Sequence, residues 1–518
     1  MKKRQNTSQA RGRKRITASS QPTKASIMSL PPELLSIIFK FVHHESPQTN
    51  EPRELIPRWM KKMDEGLKRA AKALVHREEQ IDFSSPTLFP YSMAAVSPYW
   101  SEILSSHPEF WTLVVFFVDS RYTSMAQATI ILKRSRKLPI HVVITRREGF
   151  RMKEYPDLHE KCQIEALINL LRPHLPRCKS LHIDAHLSLS LPVVPKAFAG
   201  VGEVEDMFSM ELVSDVYDEG EHEEEDSDDD SLSSISSVDI DEFEPDLRSL
   251  IVDGQNFRRG AEEYESWLSD QDKLKQLTVM RYHAPLSSSE DEPYTVSCFI
   301  DHLWSLCSVP CLKLHDIRFQ EDALKAPHLP TFLPVEYLHL EDVNSGFVNT
   351  LFKYVEFDDL VVLRITRSSV PKRCNLPALS LILEEITSEC DFMDTLTVWR
   401  GDNLCIDSCA GFTDEFLKRL AVKEGPFLEI RETKALMTCY NLQRLLLYRL
   451  SNVSVAALKN LVKQRNKYVG YNNPNWRTTT DFGPALSSLA VVHCKVEKLS
   501  AADEKWFRSR LVEFYWVN

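Results

Sequence analysis

The clearest regularity along the chain is a short hydrophobic phrase: Leu or a similar residue, two residues, Leu, one residue, then Leu, Ile or Val. Eight copies can be read: Cys178-x-x-Leu181-x-Ile183, Leu247-x-x-Leu250-x-Val252, Leu274-x-x-Leu277-x-Val279, Val335-x-x-Leu338-x-Leu340, Leu360-x-x-Leu363-x-Ile365, Met393-x-x-Leu396-x-Val398, Leu442-x-x-Leu445-x-Leu447 and Leu486-x-x-Leu489-x-Val491. The last two apolar positions of each copy share one face of a short strand, which predicts a core behind that face. Helical periodicity follows two of the copies, through Val348, Leu351, Phe352 and Val355 and through Val455, Leu458, Leu461 and Val462, with Ser454 as N-cap of the second. Strand then helix, repeated, predicts an α/β solenoid whose parallel strands line its inner face.

The pattern near the start is different. Leu34, Ile37, Ile38 and Phe41 make one apolar stripe at helical spacing, and Leu35, Phe39 and Val42 make a second. Pro31, Pro32 and Glu33 suit the first turn of that helix. Apolar residues so far round a short helix predict burial from two sides, one supplied by its own module and the other by a partner. A second cluster follows at Val96, Tyr99, Trp100, Ile103 and Leu104, then Pro108-Glu109-Phe110-Trp111 ahead of a strand-like Leu113 to Val118. Ser97 as N-cap with Pro98 at the first helical position accommodates the proline without strain.

Composition narrows the classes. At 43% hydrophobic and 26% charged the chain is that of a folded protein. Its longest purely apolar run, Leu113 to Val118, is far below the roughly 18 residues of a membrane span. No membrane segment or secretory leader is expected, and the eleven cysteines read as reduced thiols. The net charge of −11 is unevenly placed: residues 1–29 hold eight Lys/Arg and no carboxylate, residues 203–246 hold twenty Asp/Glu and no Lys/Arg, and the remainder is +1. That near-neutral remainder gives no reason to expect nucleic-acid binding. Residues 1–27 read as a disordered basic tail whose Lys2-Lys3-Arg4 and Arg11 to Arg15 clusters resemble a two-part nuclear import signal. Location is then nuclear or cytoplasmic, with a slight preference for the nucleus. A disordered acidic insertion is expected over about 195–245, with Ser227 ahead of Asp228, Asp229 and Asp230 as a candidate for an acidophilic kinase, against an unmodified solvated segment.

Catalytic and cofactor signatures are missing: there is no phosphate loop, nucleophile elbow or H-E-x-x-H helix. Cys307 with Cys311 and Cys405 with Cys409 lack a second ligand pair, so no metal, cofactor or enzymatic activity is expected.

The repeated phrase resembles leucine-rich repeats, although the asparagine usual after the strand is mostly missing; the plainer alternative is an ordinary α/β domain. Residues 29–42 and 94–118 resemble the F-box, a small three-helix module with a Leu-Pro opening and a later Val-x-x-x-Trp helix. The likeness is to fungal members whose box ends in Pro-x-x-Trp, with Lys133 to Ile144 fitting the adjoining strand. The two halves are separated by residues 43–93, within which Gly66 to Gln80 reads as an amphipathic helix. The expected organisation is a tail over 1–27, an all-α F-box module over 28–118, and an irregular leucine-rich-repeat-like α/β solenoid over 119–518.

This resemblance implies a non-catalytic substrate receptor of an SCF-type cullin–RING ubiquitin ligase. Its contacts with a Skp-type adaptor, and through it cullin, would be Leu30, Pro31, Leu34, Leu35, Ile38, Phe39, Val96 and Trp100, each of which could instead fill the module's own core. An unknown protein substrate would meet the concave face at His339, Glu341, Arg364, Thr366, Trp399, Arg444 and Tyr448, chosen as residues pointing away from the core. The competing expectation is a nuclear interaction scaffold, outside any ubiquitin ligase, whose acidic insertion binds basic partners such as histones.

Overall fold

The computed structural model describes residues 27, 30–45, 83, 85, 87–119, 121–147, 158–216, 244–263, 271, 273–283, 294–305, 309–320, 331–357, 360–368, 376–388, 396, 399–421, 439, 441–467 and 485–517. The basic clusters, the helix expected over Gly66 to Gln80, Cys307 and Ser227 lie outside the described residues.

Helix α1, Pro32–Glu45, opens on the two prolines as expected and ends on His43 and His44, cations suited to a helix C-terminus when protonated. A short α2, Tyr91–Ala94, precedes α3, Pro98–Ser105, where the Ser97 hydroxyl accepts the Trp100 N–H at 3.2 Å and Pro98 takes the first position. These helices enclose Leu35, Phe39, Phe89, Trp100, Ile103, Leu104, Phe110 and Trp111. Phe39 meets Trp100 edge to face at 5.2 Å, and the Trp111 indole N–H donates to the Leu104 carbonyl.

Beyond Trp111 the chain builds one parallel sheet of fourteen strands in chain order. They are β1 Leu113–Phe117, β2 Ile140–Thr145, β3 Cys178–Leu187, β4 Ser209–Val216, β5 Ser249–Asp253, β6 Gln276–His283, β7 Cys311–Arg318, β8 Tyr337–Glu341, β9 Val362–Thr366, β10 Ser380–Glu384, β11 Asn403–Asp407, β12 Arg444–Tyr448, β13 Ser488–Val492 and β14 Glu513–Val517. Alternation sends Leu338 and Leu340, and their counterparts on every strand, into one continuous core behind the sheet. Helices cover that side, among them α4 Met125–Arg134, α5 Leu158–Leu171, α6 Val194–Phe198, α7 Gly254–Glu263, α8 Val296–Ser305, α9 Ser345–Tyr354, α10 Asp414–Ala421, α11 Val455–Lys467 and α12 Ala501–Arg508. Ser454 caps α11 as its sequence predicts, accepting the Ala457 N–H at 3.1 Å.

From β8 to β13 the residue just after the strand is left-handed, Asp342, Arg367, Glu385, Ser408, Arg449 and His493, and Arg281 and Asp316 take the same conformation inside β6 and β7, with φ between 47° and 54° throughout. None is glycine, a conformation that costs of order 1 kcal/mol per site. The six from Asp342 onward, Asp316 excluded, each donate their N–H to the last carbonyl of the following strand at 2.7–3.1 Å, which extends the ladder by one rung. One residue further on, at the place of the asparagine whose absence the sequence shows, Ser368, Cys409 and Cys494 accept the backbone N–H of Val343, Ile386 and Leu450 at 2.9, 3.4 and 3.4 Å. Hydroxyl and thiol thus do on alternate turns what the amide does elsewhere; burial pushes the Cys409 thiol up to about 12, so it stays protonated.

The structure corrects three boundaries. Leu113 to Val118 was grouped with the helical module, yet β1 pairs with β2 and belongs to the sheet. Residues 195–216, expected within a disordered insertion, hold most of α6 and all of β4. The phrase Met393 to Val398 contributes no described strand; β11 forms further on instead.

The helical module and the sheet share a seam. Leu113, Val115 and Val143 on the second face of β1 and β2 are covered by Phe83, Leu88 and Tyr91. The Tyr91 hydroxyl donates to the Leu113 carbonyl and accepts the Val115 N–H, serving backbone groups on the outer side of β1. Across the other face, Arg134 of α4 stacks 4.3 Å over Trp111 and donates to the Ser101 hydroxyl.

Candidate functional site

Two surfaces hold the residues singled out from sequence. On the helical module the expected adaptor set divides. Leu35, Phe39 and Trp100 are buried in the module's own core, so for these three the internal role is the one observed. Leu30 is half-buried and packs at the edge of that core; its carbonyl accepts from Tyr99. Pro31, Leu34, Ile38 and Val96 lie on the surface, and Leu34, Ile37, Ile38 and Phe41 are 48%, 50%, 37% and 69% exposed along one side of α1. Val96 adds 54% from the turn before α3. Large aliphatic side chains in a contiguous exposed row mark an interaction surface, whereas single ones are ordinary.

The second surface is the sheet face opposite the main core. Its floor consists of three residues per strand; on β9 these are Val362, Arg364 and Thr366, in register with Ser380, Ile382 and Glu384 on β10. Over β9 to β13 this face is closed. Val362, Ile382, Cys405, Leu446, Ala490 and Val492 form a second buried apolar cluster, with Tyr337, Tyr448 and Tyr515 packed at its edges.

A charged network lies within the closed part. Arg364 donates to Glu384 at 2.5 Å, Thr366 donates to the same carboxylate at 3.1 Å, and His339 sits 3.0 Å from the Thr366 hydroxyl. Arg449 bridges Glu384 and Asp407. Burial pushes the Glu384 carboxyl up but the Arg364 guanidinium prevails and holds it below its ordinary value. For Asp407, burial outweighs the Arg449 and Ser408 hydrogen bonds and raises it. His339 is driven well below its ordinary value by burial and then by Arg364 and Lys313, so it is neutral.

The expected substrate contacts therefore need correction. His339, Arg364 and Thr366 are buried and engaged with one another, and cannot meet a partner as they stand. Trp399 was placed on an outward strand position; it is wholly buried in the main core, its indole N–H donating to the Ala378 carbonyl at 2.8 Å. Gly401 makes the room, since a Cβ there would lie 2.4 Å from the Trp399 ring. Glu341, Arg444 and Tyr448 remain half-buried; Arg444 is tied to Asp402 at 3.0 Å and Tyr448 packs against His493.

Over β3 to β8 the same face is more open: Thr278 and His339 are buried, whereas His182, Glu211, Ile251 and Lys313 are half-buried. Ion pairs cross from strand to strand, His182 to Glu211 at 2.8 Å and His315 to Asp342 at 3.4 Å, and Arg146 to Asp215 at 2.5 Å. Hydrogen bonding to Glu211 overcomes burial and raises the His182 imidazole above its ordinary value. Val213, Ile251 and Met280 are half-buried here and belong to none of the apolar clusters.

Sequence reasoning missed this stretch because five of its six strands bear no residue of the expected set. One group among the described residues could gather three metal donors, His315, Glu341 and Asp342, within 4.8 Å. Arg367 already ties both carboxylates, at 2.5 and 2.7 Å, and Glu385 at 3.0 Å, so the group is an ion cluster organised around one guanidinium. Among the described residues no helix is long and apolar enough to cross a membrane. No protein-family model and no curated protein sequence matches the chain.

Proposed function

We propose that the chain is a substrate receptor of an SCF-type ubiquitin ligase, an F-box module joined to a leucine-rich-repeat-like solenoid. The observation that carries the reading is the exposed row Leu34, Ile37, Ile38 and Phe41, beside Val96, on a module whose other large apolar residues are packed away. A Skp-type adaptor is the partner that the F-box resemblance of residues 29–42 and 94–118 implies for that row. The seam through Tyr91, Trp111 and Arg134 suits such a receptor. It holds adaptor surface and sheet face at a fixed spacing, which keeps a captured target at high effective concentration near the conjugating enzyme. In this role the chain performs no chemistry of its own.

Co-purification with a Skp-type adaptor tests the reading. The full chain is expected to retain the adaptor, and a Leu34→Glu/Ile38→Glu variant, altered only at exposed positions, is expected to lose it with an unchanged melting temperature. Adaptor retention by the double variant, or none by the parent chain, sinks the proposal.

A further inference from the structure

Among the described residues, the β3 to β8 stretch of the sheet face leaves one cation without a counter-ion. Of the Lys and Arg side chains carried by β3 to β8, Lys179 faces Asp206, Arg281 faces Asp215 and Arg318 faces Asp316, each within 4.0 Å. Lys313, at the centre of β7, has no carboxylate within that distance among the described residues. Its register neighbours are Thr278 on β6 and His339 on β8. The Thr278 hydroxyl is buried without a hydrogen-bond partner, and the His339 imidazole is held neutral. Every carboxylate close by is already committed: Glu341 and Asp342 to Arg367, and Asp316 to Arg318.

Next to this unmatched charge lies the unpacked apolar strip of Val213, Ile251 and Met280. Ile251 and Lys313 occupy the same level of the sheet two strands apart. At about 4.8 Å per strand the separation is roughly 10 Å; residues two apart in an extended peptide share one face at about 7 Å, and the long Lys313 side chain spans the rest.

We propose that this part of the face binds an extended protein segment carrying an apolar side chain and, two positions away, a carboxylate. The apolar group lies on Ile251 and Met280, and the carboxylate pairs with Lys313. The inference rests on the receptor reading and names the chemistry of its target. Twenty acidic residues lie between 203 and 246, largely in the connection from β4 to β5, and disfavour an acidic ligand at low salt. At physiological ionic strength, where the Debye length is about 8 Å, salt screens that field more than it screens a contact pair.

The test presents the full chain with an immobilised peptide panel in a Gly/Ser background at physiological salt. One peptide has leucine and glutamate two positions apart, a second replaces the glutamate by lysine, and a third replaces the leucine by serine. The parent chain is expected to prefer the leucine–glutamate peptide about tenfold over both others, and Lys313→Glu to invert the preference between glutamate and lysine. An unchanged ranking in Lys313→Glu, or binding of no peptide by the parent chain, overturns the proposal; a Lys313→Ala variant and a thermal melt guard against misfolding. Adaptor capture is scored on the same preparations. Lost selectivity with capture intact overturns only the acidic-anchor proposal, whereas lost capture by the parent chain bears only on the receptor reading.

Discussion

The sheet face opposite the main core is built on one backbone plan throughout, yet its two halves treat charge and apolar surface in opposite ways. In β9 to β13 the floor is closed: Ile382, Cys405, Leu446 and Ala490 are buried in a row, flanked by the Arg364, Glu384, Arg449 and Asp407 network. In β3 to β8 the equivalent positions hold His182, Glu211, Ile251 and Lys313, each partly open to solvent, and only Thr278 and His339 are buried there. The same strand can thus serve as wall or as surface, depending on whether its middle side chain finds apolar neighbours on both sides. Buried ion pairs in the closed half hold geometry, and exposed pairs in the open half add little stability.

The sharpest way to break this comparison is to place one charge at equivalent positions. Leu446→Asp puts an unpaired carboxylate into the second apolar cluster and is expected to cost more than about 4 kcal/mol, enough to abolish folding in many domains. Ile251→Asp, at the same level of the open half, is expected to change stability by under about 1 kcal/mol in urea titration. Equal losses would show that the two halves do not differ as described.

A smaller effect follows from removing cations. Arg364→Met leaves the Glu384 carboxylate short of a buried partner and is expected to cost about 3–5 kcal/mol, while Lys313→Met should stay within about 0.5 kcal/mol by the same measurement.

The third sharpens the comparison through pH. Asp253, at the end of β5, is a buried carboxylate with no cation; it accepts from Asn256 at 2.8 Å and from Ser214 at 3.2 Å, and burial pushes it up to about 6. A folded value above the unfolded one means that ionisation opposes folding. Its contribution to stability therefore falls as pH rises from about 4 through 6. Asp253→Asn, which can still cap α7, is expected to raise stability by about 1–3 kcal/mol at pH 8, with the gain vanishing near pH 4 in pH-resolved thermal melts.

How much of this could be read from sequence depended on what each position has to do. Strands led by Leu, Val or Cys in the phrase were legible because both core positions and the leading residue are apolar. Strands β4, β10 and β11 passed unread: their leading positions are Met207, Ala378 and Gly401, and the space that a leucine would fill at Gly401 is taken by Trp399. That swap explains both the missed strand and the misplaced tryptophan. Strand β7 escaped although Val309, Leu312 and Leu314 satisfy the phrase. Local chemistry read well, as Ser97, Pro98 and Ser454 show, because a cap depends on a few adjacent residues. Which outward residues are accessible did not, since closure of β9 to β13 depends on neighbours two and three strands away that no local pattern reports. The apolar excess on α1 was legible as burial from two sides, and the structure leaves one of those sides, the row from Leu34 to Phe41, exposed.

One hydroxyl at the first edge of the sheet carries a consequence for assembly. A strand edge with free N–H and C=O groups is a template on which another chain can polymerise. At β1 the Tyr91 phenol fills a donor and an acceptor together, and burial keeps it protonated by raising its ionisation well above ordinary phenols. With Thr123, whose hydroxyl and N–H serve the Phe117 N–H and carbonyl, that oxygen occupies the edge of a sheet otherwise open to growth by strand addition, and it does so from the segment that enters the helical module. Loss of that atom would turn a folding element into a seed for aggregation.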